Sequence, residues 1–428
     1  MKVLIVGGGG REHSLGWKLA QSENVTDIFF APGNGGTEEI GRNVQILPNE
    51  IKKLAKFAQK HSIDLTIVGV DNALAEGIVD EFRAHGLRIF GPDKYAAQIE
   101  SSKSFAKKMM HRLSIPTAEF NVFHNYEKAL TYLDQQKFPI VMKVSGLALG
   151  KGVSICNTLE EAREWCRKVM LEKQFGESGE TIIIEEFLEG YELSVHAICD
   201  GKSFELFPTS QDNKSIYDHG KGPNTGGMGV ATPIESLTRK DLEFITQSIV
   251  KPIIDEFARL GHPFVGCLYP GLMITEDGIK VIEYNARFGD PECQAYMRIL
   301  ESDLFELLYA CTEGKLNQRS LKWKQGKSVC VVLASEGYPG KTIINKQISG
   351  LNQNVSDTVV FHAATKKVGN KIVTSGGRVL NVACSAKTFV EAKNKAYKRV
   401  ESIHFDGMQY RKDIGEPKTT LKNIVNNH

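Results

Sequence analysis

The stretch GIKVIEYNARFGDPE, Gly278 to Glu292, is the most informative part of the sequence for the fold. Its first half mixes apolar and polar residues in alternation, which is typical of a half-buried β-strand whose successive side chains point to opposite faces. The polar face would carry a carboxylate, an amide and a guanidinium side by side. We expect one face to hold Val281, Glu283, Asn285 and Arg287, and the other Ile282, Tyr284 and Ala286.

The polar face has the chemistry of a metal and anion site. Oxygen atoms from Glu283 and Asn285 are hard ligands that suit Mg²⁺, which binds few protein oxygens together with substrate phosphates. Arg287 could grip a carboxylate or phosphate with two parallel hydrogen bonds. The same residues also fit a half-exposed strand with a surface ion pair, so other motifs must decide.

A glycine-rich loop, SGLALGKGV, follows the predicted strand Pro139–Val144. Its glycines allow the backbone to close over phosphates, and Lys151 adds positive charge. It is not a standard P-loop, because Gly146 and Gly150 are one residue too close and Gly152 stands where that motif has Ser or Thr. The loop therefore predicts, at most, a lid over a nucleotide.

Two further stretches carry candidate binding groups. TIIIEEFLEGYELS, Thr181 to Ser194, is an apolar strand that runs into acids, so its end could lie along an adenine with Glu192 at a ribose; a solvated acidic rim is the alternative. GPNTGGMG, Gly222 to Gly229, is too rich in Gly and Pro for a helix and is not a repetitive linker. Its exposed amides suit anionic oxygens.

The first hundred residues alternate apolar strands with helices, which predicts a doubly wound parallel sheet. GGGGREHS follows the first strand, but Glu12 occupies the third glycine position of a dinucleotide fingerprint and no acid ends the second strand. NAD binding is therefore disfavoured, while a phosphate at the helix start or a ligand-free turn both remain. The strands of this first part are expected at Val3–Val6, Asp27–Asn34, Asp64–Val70 and Leu87–Pro92. The principal helices of the whole chain are expected at Arg11–Gln21, Glu50–His61, Ser102–Leu113, Glu160–Leu171 and Val390–Ile403.

The composition fits an ordinary globular enzyme. The chain has 428 residues, 41% hydrophobic and 24% charged, with a net charge of +2. That charge is too small to indicate nucleic acid or an anionic membrane. There is no apolar run of membrane-spanning length and no signal-peptide pattern. Eight scattered cysteines without a CxxC pair favour a reducing cytoplasm.

Together these segments resemble the ATP-grasp superfamily and, more narrowly, the phosphoribosylamine–glycine ligase (glycinamide ribonucleotide synthetase) family. The resemblance runs from end to end. Its motifs are GGREH, APGN, KSFAK, GKGV, EEFLEGYELS, GPNTGGMG, RFGDPE, SVCVVLASEGYPG, GGRVLNV and YRKDIG.

The resemblance implies a multidomain fold of the α/β and α+β classes. A Rossmann-like domain at 1–102, with a doubly wound parallel sheet, would precede an ATP-grasp region at 103–322 that includes a lid at about 120–190. A small β-rich α+β domain at 323–428 would pack beside the first domain and close one wall of the site. We expect a monomer or weak homodimer.

The resemblance also implies an activity in purine biosynthesis: ATP, glycine and 5-phosphoribosylamine give glycinamide ribonucleotide, ADP and phosphate through a glycyl phosphate. Mg²⁺ or Mn²⁺ would assist at Glu283 and Asn285. The residues implied for ATP are Lys103, Lys143, Gly146, Gly150, Lys151, Gly152, Glu185, Glu186, Phe187, Leu188 and Glu192. Those implied near glycine and the acyl phosphate are Arg287, Asp290, Asp212, Asn224, Thr225, Gly226 and Gly227, and those for the ribose phosphate are Gly9, Gly10 and Asn34.

Some positions depart from the family pattern. The usual G-P-E-x-P-L appears as GVDNAL, Gly69 to Leu74, and YDHGK precedes GPNTGGMG where D-G-D-x is usual. Ser145 replaces a common aspartate, and Gly271 stands where many ATP-grasp enzymes have a second metal carboxylate, as it does in this family. An ATP-grasp ligase with another carboxylate or amine substrate is therefore an alternative, and an inactive binding protein is a third hypothesis.

Overall fold

The computed structural model describes residues 1–148 and 151–417. Its first part contains, in chain order, β1 Lys2–Gly7, α1 Gly10–Leu19, β2 Asp27–Pro32, β3 Arg42–Asn43, α2 Ile51–His61, β4 Leu65–Val68, α3 Asp71–Glu76, α4 Ile78–Ala84 and β5 Ile89–Phe90. The strands pair in parallel in the order β3-β2-β1-β4-β5. The predicted apolar runs form all of these strands except β3.

Helices cover both faces of this sheet, because its strands are apolar on both sides. One face packs against α2, α3 and α4 through residues such as Leu54, Ala58 and Phe82. The other face packs against α1 and against apolar side chains from residues 288–316. The first sheet and the later region therefore share one hydrophobic core.

The next part contains an antiparallel sheet with two helices packed on one face. It contains α5 Gln98–Ser101, α6 Lys103–Arg112, β6 Phe120–Phe123, α7 Tyr126–Leu133, β7 Ile140–Val144, β8 Val153–Cys156, α8 Leu159–Cys166 and β9 Ile182–Glu186. The strand order is β6-β9-β7-β8. Met142 and Ile184 pack among α7 and α8, so the alternate positions Lys143 and Glu185 lie on the opposite face.

The central region contains β10 Tyr191–Ser194, β11 Ala197–Asp200, β12 Phe204–Leu206, β13 Gln211–Asp212, β14 Ser215–Tyr217, β15 Lys221–Asn224, β16 Gly229–Thr232, α9 Arg239–Phe244, α10 Lys251–Arg259, β17 Val265–Thr275, β18 Gly278–Asn285, α11 Glu292–Ile299 and α12 Leu304–Thr312. Its main sheet has the order β10-β17-β11-β12, and β18 pairs with β17. The sheet packs against α6 and α10.

The last part contains β19 Lys327–Ala334, β20 Thr358–His362, β21 Thr365–Val368, β22 Lys371–Thr374, β23 Arg378–Ala386 and α13 Phe389–Glu401. Three of these strands form a sheet with two strands from the central region, in the order β13-β16-β19-β23-β20. The predicted division of the chain at residue 323 does not anticipate this, since β13 and β16 precede it by about a hundred residues.

None of the helices in the described part of the chain has the length and apolarity needed to cross a membrane. All eight cysteines are buried free thiols.

Candidate active site

Two buried lysines share one carboxylate at the heart of the site. The Nζ atoms of Lys143 on β7 and Lys107 on α6 lie 2.9 and 3.0 Å from Oε2 of Glu185 on β9. Burial lowers the pKa of Lys107 to about 8. Oε1 of Glu185 is buried without a hydrogen-bond partner among the described residues. The structure thus brings together the predicted Lys143 and Glu185 and adds Lys107.

The start of α6 is tied to the lid loop. Ser102 caps the helix, the Lys103 amide donates to the Ser145 carbonyl at 2.8 Å, and Lys103 Nζ lies 3.4 Å from the Gly146 carbonyl oxygen. Burial lowers the pKa of Lys103. The predicted phosphate-binding lysine therefore lies beside the loop that is expected to close over the phosphates.

The lid loop itself is only partly described, and the predicted Gly150 lies outside the described residues. Gly146 packs against Ser178, and Gly152 packs against Val144, so both positions lack space for a side chain. Lys151 is exposed.

The predicted adenine segment follows the lid sheet. Glu186 accepts hydrogen bonds from Lys280 Nζ at 3.0 Å and from the Glu119 amide at 3.1 Å. Phe187 and Leu188 are half-buried just beyond β9, and among the described residues their backbone amides have no hydrogen-bond partner. Their free backbone groups could read the edge of a base.

Glu192, the predicted ribose contact, pairs with Lys214, a residue that the sequence reasoning missed. The Lys214 Nζ lies 2.7 Å from Glu192 Oε2. Although burial opposes it, the carboxylates of Glu192 and Glu283 raise the pKa of Lys214. Lys214 therefore remains a cation between the predicted ribose and metal positions.

The alternation predicted for the metal strand is wrong at two positions. Val281 is fully buried in the same core as Tyr284 and Ala286, whereas Ile282 lies outside that core. The reason is a β-bulge: Glu283 pairs with Gly271 but Val281 pairs with Leu272, so Ile282 is an extra residue.

The bulge leaves Glu283 directly opposite Gly271. A side chain at Gly271 would touch the Glu283 side chain, with their nearest carbons 3.6 Å apart. Gly271, at the position where many ATP-grasp enzymes have a second metal carboxylate, therefore lies on the same face as Glu283. As a glycine it supplies no carboxylate there.

Glu283 lies among positive charges and, within the described residues, accepts no hydrogen bond. Burial would raise the pKa of its carboxyl, but the neighbouring cations outweigh burial and lower it. Those cations are Lys214, Lys103, Lys143 and Arg287. The predicted metal and phosphate residues thus converge on one carboxylate.

Arg287 is oriented by Glu100 at the end of α5, which the sequence reasoning also missed. Its Nη2 lies 2.7 Å from Glu100 Oε1 and 3.1 Å from Asn285 Oδ1. Glu100 also accepts from the Ala286 amide at 2.8 Å. Glu100 therefore fixes the end of the strand and orients Arg287 beside Asn285.

Asp290 is the point at which the three parts of the chain meet. Its Oδ1 accepts from Gln294 Nε2 at 2.7 Å, and its Oδ2 lies 3.5 Å from Arg378 Nη2 on β23. A side chain at Gly9 would come within 3.3 Å of the same Oδ2. Burial would raise the pKa of Asp290, but Arg378 and Arg11 lower it.

The GPNTGGMG segment is the end of a small hairpin and a tight loop. Thr225 Oγ1 donates to the Lys214 carbonyl at 2.7 Å and accepts from the Gly227 amide at 3.0 Å, so it stabilises the loop internally. Gly227 has φ +113°, and a side chain there would lie 2.8 Å from Asp212 Oδ1. Burial and the Glu292 carboxylate raise the pKa of Asp212. Asn224 is exposed.

The residues predicted to bind the ribose phosphate, Gly9, Gly10 and Asn34, make contacts within the protein that the sequence did not predict. Asn34 Nδ2 donates to the carbonyls of Gly8 and His362, and its Oδ1 accepts from two amides. The Asn34 side chain therefore has no free group for a ligand. Gly10 lies against the side chains of Asn381 and Gln294, while the Gly9 amide donates to Glu12 Oε2 at 2.6 Å.

Sequence signals existed for some of the missed residues. Lys107 lies one helical turn after Lys103 within KSFAK, so a shared helix face was foreseeable. Arg378 is the arginine of GGRVLNV. Lys214 and Glu100 carry no comparable signal, because only the folded chain brings them to the site.

Three models of one family match the chain in succession. The phosphoribosylglycinamide synthetase N domain matches residues 1–100, the ATP-grasp (A) domain residues 101–293 and the C domain residues 328–417. The chain belongs to the phosphoribosylglycinamide synthetase family. This membership confirms the predicted resemblance and the ATP-grasp fold.

Relatives of the family match over nearly their whole length. A phosphoribosylamine–glycine ligase of Caldanaerobacter subterraneus subsp. tengcongensis is 46% identical over 414 residues, 97% of this chain and 99% of the relative. One of Escherichia coli O6:H1 is 47% identical over 420 residues, 97% of this chain and 98% of the relative. The crystal structure of the Thermotoga maritima phosphoribosylamine–glycine ligase has a TM-score of 0.86 and 32% identity, covering 96% of this chain and 100% of that one.

Proposed function

We propose that this protein is an ATP-dependent carbon–nitrogen ligase that joins glycine to 5-phosphoribosylamine in purine biosynthesis. The products are glycinamide ribonucleotide, ADP and phosphate. Family membership and relatives at 46 and 47% identity over nearly the full chain support the assignment. The observation that carries it is the convergence of Lys103, Lys143, Lys214 and Arg287 on Glu283.

That convergence suits a nucleotide triphosphate. In the free protein the lysines neutralise the carboxylate, and bound phosphates would take over part of that positive charge. ATP-grasp enzymes use ATP with divalent metal ions. Glu283 and Asn285 fit such an ion, because they offer oxygen ligands and Glu283 accepts no hydrogen bond from the described residues. We propose Mg²⁺ or Mn²⁺, which would neutralise charge on the transferred phosphoryl group.

The reaction needs two displacements and no protein nucleophile. First, a glycine carboxylate oxygen attacks the γ-phosphorus and ADP leaves, giving glycyl phosphate. Then the amine of 5-phosphoribosylamine attacks the acyl carbon, the bond from that carbon to the phosphate oxygen breaks, and phosphate leaves as the amine loses a proton. The chain's own contribution is to position the reactants and neutralise charge.

Each part of the site has a proposed role. Lys103 and Lys143, with the lid loop from Gly146 to Val153, would hold the ATP phosphates. Segment Glu185 to Leu188 would line the adenine, and Glu192 would contact the ribose. Arg287, Asp290, Asp212 and the loop Asn224 to Gly227 would surround glycine and its acyl phosphate, with Thr225 acting through the loop.

The ribose phosphate of the amine substrate would lie near Gly9. Gly10 and Asn34 would support it indirectly, because their side-chain positions are filled by contacts within the protein. The departure GVDNAL keeps an acid, Asp71, at the position of the glutamate in the usual G-P-E-x-P-L. That favours the ordinary amine substrate over an altered one.

We further propose domain limits of 1–102, 103–322 with the lid at about 120–190, and 323–428, with β13 and β16 contributed to the last sheet. Residues 418–428 lie outside the described part. A cytoplasmic location and a monomer or weak homodimer complete the proposal, and sedimentation of the purified protein would test the assembly state.

ADP release, with each reactant omitted in turn, tests the activity. The assay contains Mg²⁺, ATP, glycine and freshly prepared 5-phosphoribosylamine. Release that needs both glycine and the amine supports the proposal. Release that needs a different acid or amine overturns the substrate assignment, and no release despite ATP binding overturns the ligase assignment.

A further inference from the structure

Residues 213–229, here called the hairpin segment, leave and re-enter the C-terminal sheet. The strand before the segment, β13, pairs with β16 through Gln211–Ala231 and Asp212–Val230. In turn, β16 pairs with β19, from Gly229–Val331 to Thr232–Ser328. The segment that carries GPNTGGMG is therefore an excursion from the sheet of the C-terminal domain.

The inner end of the hairpin segment is held by Arg378 and Tyr338. Arg378 Nη1 donates to the carbonyls of Gly226 at 2.6 Å and of Asp290 at 2.6 Å, and lies 3.4 Å from the Gly227 carbonyl oxygen. The Tyr338 hydroxyl accepts from the Gly226 amide at 3.0 Å. One guanidinium thus joins the loop of the segment to the RFGDPE loop.

The outer end of the hairpin segment is held by YRKDIG. Arg411 is 4% exposed, and its Nη1 donates to the Ser215 carbonyl at 3.1 Å. Asp413, bonded to Arg411 at 2.5 and 2.7 Å, accepts from the His219 amide at 2.9 Å. This second contact fixes the far end of the hairpin to the same domain.

The held loop lies against the Asp212 carboxylate and the Asp290–Pro291 turn. A side chain at Gly227 would come within 2.8 Å of Asp212 Oδ1 and 2.6 Å of Pro291 Cδ. A displacement of the loop would therefore change its distance from Asp212 and from the Asp290–Pro291 turn. Such displacements are costly to reactions that depend on alignment.

We propose that the C-terminal domain positions the substrate loop Asn224 to Gly227, with Arg378 as the main positioning residue and Arg411 as the second. The proposal rests on the proposed function only for the identity of the substrate, glycine. It gives SVCVVLASEGYPG, GGRVLNV and YRKDIG one shared role: Tyr338, Arg378 and Arg411 hold the two ends of the hairpin segment.

Hydrogen exchange of the free, full-length protein tests the positioning directly. The variants are Arg378→Gln and Arg411→Gln. The matched control is Arg399→Gln, since Arg399 is also buried and also donates to backbone carbonyls, those of Gly350 and Leu351, within the same domain. Both test variants should speed exchange across 213–229 by about tenfold or more, and the control should leave those amides unchanged.

Kinetics then separate positioning from general damage. In Arg378→Gln we expect kcat/KM for glycine to fall by about 10- to 100-fold, while the Kd for ATP stays within about twofold of the wild-type value. Should Arg378→Gln fail to fold, Tyr338→Phe removes only the hydroxyl that accepts from Gly226 and should speed exchange at the inner end.

Unchanged exchange across 213–229 in Arg378→Gln, or an equal increase in Arg399→Gln, would overturn the positioning proposal. Equal losses for glycine and ATP would do the same, because they indicate damage to the whole site. If the wild-type protein itself requires neither glycine nor the amine, the proposed function fails, and the exchange data alone decide the positioning.

Discussion

At the scale of the residue, Glu283 is the most important side chain of the proposed metal site. Glu283→Gln removes its negative charge with almost no change in volume. We expect kcat to fall by about 100-fold or more, since several kcal/mol of charge stabilisation would be lost with the metal ligand. The melting temperature should fall by only a few degrees, because no apolar contact is lost. Steady-state ADP release and calorimetry measure the two effects.

The matched control for this carboxylate is Glu276→Gln, in the exposed turn between β17 and β18. It changes the same hairpin without touching the site and should keep full activity. A Glu283→Gln protein with wild-type turnover would refute the metal assignment.

Lys214 is the second residue to test, since it lies between Glu192 and Glu283. Lys214→Gln should lower kcat by about 10- to 100-fold, because a cation near the transferred phosphoryl group is lost. Lys221→Gln, an exposed lysine of the adjoining hairpin, should stay within about twofold of wild type. Equal rates for Lys214→Gln and Lys221→Gln would exclude a role for Lys214 in phosphoryl transfer.

Candidate site residues that belong to a sequence motif were easier to predict than the residues that contact them in the folded chain. The spacing along one strand was enough to predict that Glu283, Asn285 and Arg287 lie close together. Lys214 and Glu100 do not, because long-range folding brings them beside Glu283 and Arg287. Asn34 shows a contact that its motif could not reveal: its side-chain amide donates to the His362 carbonyl and so joins the first domain to the last.

At the scale of the element, substitutions at Gly227 and Gly220 distinguish the effect of backbone strain from the effect of packing. Both have positive φ, +113° and +76°. A side chain at Gly227 would clash with Pro291 and Asp212, whereas one at Gly220 would meet no atom of the described residues within 4 Å. Gly220→Ala should cost only about 1 kcal/mol of unfolding free energy, with activity kept.

Gly227→Ala should cost about 1–3 kcal/mol and also lower kcat/KM for glycine, because the loop must shift away from Asp212. Chemical denaturation and steady-state kinetics on both variants provide the comparison. Equal kinetic effects from the two substitutions would show that the loop conformation at Gly227 is not important for the reaction.

The positions of strands and helices could be predicted from the hydrophobic pattern, but the pairing between strands could not. The apolar runs of the first sheet were located to within a few residues. The bulge at Ile282 was not, because alternation cannot reveal an extra residue whose position depends on the partner strand. Short strands such as β13 and β16 also lack a pattern that could show which sheet they join.

At the scale of the whole molecule, a buried histidine pair joins the first and last domains. His13 Nδ1 accepts from the His362 amide at 2.9 Å. Burial lowers the pKa of His13 from 6.5 to about 3 and that of His362 from 6.5 to about 4. Below pH 6.5 the unfolded chain takes up protons that the folded protein does not, so stability falls with acid.

Between pH 6.5 and pH 5 each histidine should contribute about 2 kcal/mol to that loss. His362→Gln should remove about half of it, which calorimetry at pH 7 and pH 5 would measure as a smaller drop in melting temperature. An unchanged pH dependence in His362→Gln would show that this histidine is not buried in its neutral form.

The order of the three domains was predictable from motifs, but their interdependence was not. The last domain was expected only to close one wall of the site. It also holds the GPNTGGMG loop through Arg378, and its sheet includes β13 and β16 from the central region. Hydrophobic pattern could not show these contacts, because they join segments that are far apart in the chain.

The central claim is that glycine is activated as an acyl phosphate and then joined to the amine. The most direct measurement uses glycine labelled with ¹⁸O in both carboxylate oxygens, with ATP, Mg²⁺ and 5-phosphoribosylamine, and mass analysis of the released phosphate. We expect one ¹⁸O atom in each phosphate, together with labelled glycinamide ribonucleotide. Phosphate without ¹⁸O would contradict the account, since no carboxylate oxygen would then have attacked the γ-phosphorus.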